Sequence, residues 1–122
     1  MVKVAIPSTK GSGLEDVIFE HFGHAPYFTF VEVEDGEVKK VEVVKNPYEG
    51  FHSPGELPSF LKENGVSVLI CMGIGFRAKA FFEEYGIKVY TGATGRIEDV
   101  LSDYVKGVLK SREYEVRRKW NE

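Results

Sequence analysis

The chain has 122 residues, of which 43% are hydrophobic and 29% are charged, and this balance suits one globular domain with a core of its own. The formal net charge of −3 speaks against a broad nucleic-acid-binding surface. A single cysteine, Cys71, excludes an intramolecular disulfide and suits a reducing compartment. The apolar run at the N-terminus is too short for a signal peptide, and no stretch approaches the roughly 20 apolar residues that cross a bilayer. We therefore expect a cytoplasmic protein that binds neither nucleic acid nor a membrane.

The first half of the chain predicts three strands. Residues 2–6 (VKVAI) form a β-branched run that ends at Pro7, and a loop of turn-forming residues follows. Residues 14–20 (LEDVIFE) predict one or two helical turns. Residues 27–34 and 37–45 predict two further strands, and Asp35-Gly36 between them is a strong signal for a two-residue hairpin.

The second half alternates between helix and strand. Residues 53–56 (SPGE) have the composition of a capping box with proline at the first helical position, and Asn64-Gly65 predicts the end of that helix. An almost wholly apolar run at 66–72 indicates a central strand, and 87–90 indicates another short strand. The helix between them ends at Gly86. The last helix carries one apolar face, formed by Ile97, Val100, Leu101, Tyr104, Val105, Val108 and Leu109.

This order of elements predicts an α/β fold. The hairpin requires one antiparallel strand, whereas the later alternation of strand and helix requires right-handed parallel crossovers. We expect a mixed five-stranded sheet with helices on both faces, in which the second strand is antiparallel to the rest. Residues 1–109 form the single predicted domain. Residues 110–122 form a charged helix or tail, whose Trp120 predicts docking on the same chain or on a second subunit.

Three glycine-rich loops, 7–13, 73–75 and 91–95, are predicted to meet at the carboxyl edge of the sheet, where ligands of open α/β sheets bind. Glycine lets the backbone approach a ligand, and amides at a helix start attract anions. We therefore expect a site for an anionic, polar ligand here, although tight strand-to-helix turns explain single glycines equally well. The predicted binding residues are Lys10, Gly11, Gly73, Gly75, Gly92 and Gly95.

Patterns for nucleotide cofactors and for catalysis are weak. Residues 73–78 (GIGFRA) match the dinucleotide-binding pattern, but the next strand does not end in the acidic residue that would hold a ribose. The sequence has no nucleophile elbow, and its first strand carries no carboxylate for a two-metal nuclease. We expect a protein that is not an enzyme.

Four side chains are suited to soft or borderline metals: His21, His24, His52 and Cys71. The thiol follows the predicted central strand and adjoins a glycine loop, although an isolated strand cysteine is usually a small buried hydrophobe. The histidines form no compact ligand motif, so any metal site is predicted to assemble from separate segments.

The segment 20–28 (EHFGHAPYF) resembles the signature of the dinitrogenase iron-molybdenum cofactor biosynthesis family, commonly S/E-H-F-G-R-A-x-x-F. Further similar segments follow in the family's order over about residues 1–109. They are Asn46-Pro47, His52 with Gly55, 68–75 (VLICMGIG, similar to VVICGGIG), 86–90 (GIKVY), and Tyr104 with Gly107-Val108-Leu109. His24 replaces the usual arginine, so this chain either gains a ligand or loses a fixed positive charge. Met72 replaces a common glycine.

The resemblance implies a ribonuclease H-like α/β fold and a carrier that binds an iron–sulfur or iron–molybdenum cluster and passes it on. It implies cluster contacts by His21, His24, Cys71 and His52, with glycine loops around the anionic face of the cluster. The implied partners are the cluster and a cluster-receiving protein, and the chain is expected to be a monomer or a homodimer. Two alternatives from other classes are a metal-free interaction or regulatory domain and a small nucleotide- or phosphate-binding protein.

Overall fold

The computed structural model describes residues 1–49 and 55–112, which contain five strands and three α-helices. The strands are β1 (Val2–Ser8), β2 (Tyr27–Glu34), β3 (Glu37–Lys45), β4 (Val68–Ile70) and β5 (Lys88–Tyr90). The helices are α1 (Glu56–Glu63), α2 (Phe76–Glu84) and α3 (Ile97–Val105), and two short 3-10 turns lie at Gly13–Glu15 and Phe22–His24.

The strands form one mixed sheet in the order β3-β2-β1-β4-β5. Strand β2 is antiparallel to both of its neighbours, whereas β1, β4 and β5 are parallel. Asp35 and Gly36 connect β2 to β3 with φ of 54° and 76°, the conformation that a tight hairpin turn needs and that Asp-Gly adopts readily. The predicted mixed five-stranded sheet with an antiparallel second strand is confirmed.

The two faces of the sheet bury separate clusters, as alternation along the central strand β1 requires. Val4 and Ile6 face α3, whereas Ala5 between them faces α1 and α2, and all three are fully buried. Strand β4 divides in the same way, with Val68 and Ile70 on the α3 side. Helices cover both faces, so β4 is apolar throughout, as the run at 66–72 predicts.

The predicted helical turns at 14–20 are wrong. Only Gly13–Glu15 is helical, as a 3-10 turn, and the chain then extends. Val17 forms an isolated bridge with Arg96, and Ile18 forms one with Ser8. Tertiary pairing of the backbone therefore overrides the local helical pattern.

The structure confirms some predicted ends of the later helices and corrects others. Helix α1 ends at Asn64-Gly65 as predicted, but its N-cap is Gly55, and Ser53 and Pro54 lie outside the described residues. Helix α3 ends at Val105, because Gly107 adopts a φ of 78°. Val108, predicted on the buried face, is 58% exposed. The last helix therefore does not continue into the tail, and Trp120 lies outside the described residues. Among the described helices, none is both long enough and apolar enough to span a bilayer.

Candidate functional site

An extended segment, residues 16–22, crosses the carboxyl edge of the sheet and ties its loops together. The amide of Ile18 donates to Gly95 O at 3.0 Å, and the amide of Phe22 donates to Gly73 O at 2.9 Å. The amide of Gly73 in turn donates to Glu20 O at 2.9 Å. This crossing segment places the 3-10 turn Phe22–His24 directly beside the glycine loop that follows β4.

Asp16 organises the first loop. Its carboxylate accepts hydrogen bonds from the amides of Lys10, Ser12 and Val17 at 2.8, 3.2 and 2.7 Å. Burial alone would raise the pKa of Asp16, but these donors, together with the Gly11 amide, outweigh burial and hold the pKa below its ordinary value of 3.8. Asp16 therefore remains ionised inside the loop at neutral pH. Its carboxylate accepts hydrogen bonds from loop amides that were predicted to bind a ligand.

The amides of several predicted binding residues are already hydrogen-bonded within the chain, so they are not available to a ligand in this conformation. Lys10 and Gly11 donate to Asp16, and Gly73 donates to the crossing segment. Gly92 donates to Met72 O at 2.9 Å and packs so closely against Arg112 that a Cβ added at position 92 would lie 2.8 Å from the Arg112 backbone oxygen. Gly75 and Gly95 are exposed. These glycines serve tight turns, and their contact with a ligand stays a prediction.

His21 of the crossing segment and His24 of the following 3-10 turn lie side by side. The ring centroids of His21 and His24 are 4.6 Å apart with an interplanar angle of 60°. Nδ1 of His21 accepts a hydrogen bond from the Gly23 amide at 3.2 Å, which caps the short turn. Both side chains are partly exposed, so the structure brings two of the four predicted metal contacts together at the edge.

Cys71 does not reach the surface of this edge, which corrects the expectation of an accessible thiol beside the glycine loop. Its side chain is fully buried between the sheet and the α1–α2 layer. Burial raises the pKa of the Cys71 thiol to about 12, and the nearby charge of Lys79 offsets only part of that rise. The thiol is therefore protonated at neutral pH, whereas metal ligation requires a thiolate. His52, the fourth predicted contact, lies outside the described residues.

Positive charge lies where α2 begins, directly after the glycine loop at 73–75. Arg77 and Lys79 are exposed in the first turn, which carries no acidic residue. A helix N-terminus is itself partially positive. The side chain of Phe76 is 81% exposed at the same position. Among the described residues, no group of three or more His, Cys, Asp or Glu side chains is arranged to hold a metal ion.

Sequence reasoning missed Asp16 and the crossing segment. An aspartate shortly after a Ser/Gly-rich loop is a signal for side-chain capping of loop amides, because aspartate readily accepts from nearby backbone donors. The bridge between His21 and Gly73 joins residues that are far apart in the chain, so no local sequence pattern predicts it.

A protein-family model described as dinitrogenase iron-molybdenum cofactor matches residues 2–107. An uncharacterised protein of Methanocaldococcus jannaschii, MJ0580, is 31% identical over 115 residues, which are 93% of this chain and 93% of that protein.

Solved structures share the whole fold. The crystal structure of PH0822 is similar at a TM-score of 0.83 with 40% identity, covering 95% of this chain and all of that one. A candidate NifB protein of the DUF35 family from Thermotoga has a TM-score of 0.75 and 30% identity, with 97% and 99% covered. The apo form of the orange protein from Desulfovibrio gigas has a TM-score of 0.80 at 21% identity, with 93% and 95% covered, a likeness of fold alone.

Proposed function

Since the chain belongs to the dinitrogenase iron-molybdenum cofactor family, we propose that it acts in metallocofactor biosynthesis by binding and passing on an iron–sulfur or iron–molybdenum cluster. The cluster is cargo, so the proposal includes no catalytic turnover. Its partners are the cluster and a cluster-receiving protein in the cytoplasm. The name of the NifB-like relative supports the same pathway. The strand order β3-β2-β1-β4-β5 supports the ribonuclease H-like label.

The observation that carries this proposal is the pairing of His21 and His24 at the carboxyl edge, with ring centroids 4.6 Å apart. A neutral imidazole that accepts a hydrogen bond at Nδ1 carries its proton on Nε2. His21 accepts the Gly23 amide in this way. Its Nε2–H therefore suits donation to an anionic sulfide, whereas direct ligation of iron through Nε2 requires the proton to move to Nδ1, which would break the hydrogen bond from the Gly23 amide.

The charge around the histidines supports an anionic cargo. His21 forms a bridge with Gly73 and the Phe22 amide donates to Gly73 O, and the first turn of α2, which contains Arg77 and Lys79, begins three residues after Gly73. A partially positive helix start and two cations favour an anion electrostatically. Cys71 as a ligand stays a prediction that requires the loop after β4 to open, because the thiol is fully buried.

Anaerobic reconstitution with iron and sulfide tests this function, with visible absorption and metal analysis as readouts. We expect the wild-type chain to take up a cluster and His21→Ala to lose most of it. His24→Arg restores the residue common in the family, so it retains binding if position 24 supplies charge and loses binding if His24 is a ligand. Val41→Thr, on the exposed edge strand, serves as a matched surface control and keeps full uptake.

Two results would contradict the proposal. One is that the wild-type protein takes up no more cluster than an unrelated protein treated in the same way. The other is equal uptake by wild type and the double variant His21→Ala/His24→Ala, which would show that the cluster does not bind at the paired histidines. Cys71→Ala tests the remaining prediction, because uptake that survives it excludes the thiol as a required ligand.

A metal-free interaction domain is the second candidate function, and the burial of Cys71 is the observation that favours it. A fully buried thiol with a pKa raised to about 12 behaves as a core side chain. The adjacent histidines favour the first candidate instead. Reconstitution separates the two, because the interaction domain takes up no cluster.

A further inference from the structure

An apolar groove lies on the α3 side of the sheet, far from the histidine pair. It runs between α3 and the β2–β3 hairpin, has a volume of about 240 Å³ and is open to solvent on one side. Its apolar lining consists of Leu14, Val38, Leu101 and Val105. Val38 is 41% exposed. An apolar cavity of about 150 Å³ accommodates a benzene ring, so this groove is large enough for an indole.

The described chain ends at a point from which its own C-terminal segment can reach this groove. The amide of Arg112 donates to Thr91 O at 2.9 Å, and the Thr91 hydroxyl donates to Arg112 O at 2.7 Å. These bonds hold residues 111–112 beside the loop that leads into α3. The segment 113–122 follows, and it lies beyond the family match at residues 2–107.

The length of this segment suffices to cross α3. Eight residues lead from Arg112 to Trp120 and span up to about 28 Å when extended. Helix α3 has nine residues, so it is about 13 Å long and about 10 Å across. Tyr104 on α3 contacts Tyr90 of β5, and Leu101 and Val105 line the groove on the β3 side. The segment therefore needs to pass over one helix only.

Charge around the groove complements residues 117–119, the basic stretch of a segment that also contains three acidic residues. Acidic residues line the groove or adjoin a lining residue in the sequence at Glu15, Asp35, Glu37, Glu98, Asp99 and Asp103. The corresponding basic residues are Lys39 and Lys106, and Lys39 pairs with Glu37 at 3.1 Å while Arg96 pairs with Glu98. Three consecutive basic residues, Arg117, Arg118 and Lys119, directly precede Trp120. A basic stretch ending in an aromatic side chain matches an apolar groove with an acidic surround.

We propose that the C-terminal segment of the same chain folds across α3 and inserts Trp120 into this groove. The apolar lining receives the indole, and Arg117, Arg118 and Lys119 lie against the acidic surround. The contact links the β2–β3 hairpin to α3. The contact of Trp120 with the groove requires no bound cluster.

Trp120 is the single tryptophan of the chain, so its fluorescence reports the contact directly in the full-length protein. We expect emission at shorter wavelength than in urea and protection from acrylamide quenching. Val38→Arg places a cation and a bulky side chain in the groove, and should shift the emission to the wavelength seen in urea and remove the protection. Val43→Arg is the matched control, since Val43 is 39% exposed on the same face of β3 but lies outside the groove. Far-UV circular dichroism confirms that both variants fold.

Three outcomes would overturn the proposal. A wild-type emission wavelength equal to that in urea would show that Trp120 is exposed to solvent and does not occupy the groove. Equal emission in wild type and Val38→Arg would place Trp120 elsewhere. Protection of Trp120 from acrylamide that increases as the protein concentration is raised about a hundredfold would assign the groove to the segment of a second copy. Association between chains follows mass action, whereas docking within one chain does not depend on concentration.

Discussion

At the scale of single residues, Asp16 shows how one buried carboxylate shapes the edge where a ligand is expected. Its oxygens accept from Lys10, Ser12 and Val17 at distances of 2.7 to 3.2 Å. A carboxylate that accepts several amide hydrogen bonds favours its charged form, and the pKa of Asp16 is lowered accordingly. The first glycine-rich loop is therefore organised from within the chain and needs no bound anion to hold its shape.

Replacing Asp16 by Asn should destabilise the protein at neutral pH by about 2 kcal/mol, because charge-assisted hydrogen bonds to the loop are lost. A depressed pKa in the folded state means that the ionised carboxylate contributes stability above its unfolded pKa and loses that contribution as the pH falls through the folded pKa. The difference in free energy of unfolding between wild type and Asp16→Asn should therefore be constant near neutral pH and shrink below about pH 4.

Urea titrations at several pH values measure this difference. Asp103→Asn is the control, since Asp103 is exposed at the end of α3 and should change stability little. A difference that persists unchanged at low pH would show that the charge of Asp16 contributes nothing to stability.

At the scale of elements, residues 109–112 form a strap that closes over the last loop of the carboxyl edge. Leu109 packs on the α3-side core, and Ser111 Oγ accepts from the Thr91 amide at 3.2 Å. Arg112 approaches Gly92 so closely that a side chain at position 92 would collide with its backbone. Glycine is required at position 92 for space as well as for its φ of 79°.

Gly92→Ala should weaken the strap, and Gly107→Ala provides a control with almost the same backbone conformation. Both glycines have a φ near 78°, but nothing lies within 4 Å of a Cβ at position 107. Each variant should lose about 1–2 kcal/mol of stability from the left-handed conformation alone. Only Gly92→Ala should also accelerate hydrogen exchange of the Arg112 amide, measured by NMR. Equal exchange in both variants would mean that the strap tolerates the added methyl group.

Element types were predictable wherever the local pattern agrees with the tertiary environment. The hairpin at Asp35-Gly36 and the ends of α1 and α2 follow from turn chemistry, so they are confirmed. The helical pattern at 14–20 failed because Asp16 and the bridge from Val17 to Arg96 hold that segment extended. Helix α3 is shorter than its apolar pattern, since a glycine at positive φ ends it.

At the scale of the whole molecule, the sheet is protected unevenly. Strand β1 lies between β2 and β4 with residues 4–8 buried, whereas β3 is an edge strand whose side chains are mostly exposed. Charged residues and a register shift opposite Glu32 and Val33 interrupt this edge, features that discourage pairing with another strand.

Hydrogen exchange should follow this asymmetry. The amides of Val4, Ala5 and Ile6 should exchange only through global unfolding, and those of β3 that point away from β2 should exchange orders of magnitude faster. Residue-resolved NMR exchange on the full chain measures both sets. Strong protection of the outward amides of β3 would instead reveal that another strand covers this edge.

The sequence alone determined the order of strands and helices, the antiparallel second strand and the family. Turn residues and hydrophobic periodicity are local signals that involve only a few neighbouring residues, and the family's motifs occur in their usual order along the chain. It also identified His21 and His24, which the structure places with their rings in contact. Only the tertiary structure decided which groups reach the surface of the carboxyl edge. Side chains alternate between the two faces of the sheet along β4, so Cys71 points into the core. The Asp16 carboxylate accepts hydrogen bonds from amides of the first loop. Burial and hydrogen-bond partners depend on segments far apart in the chain, and local patterns carry no information about which of them meet.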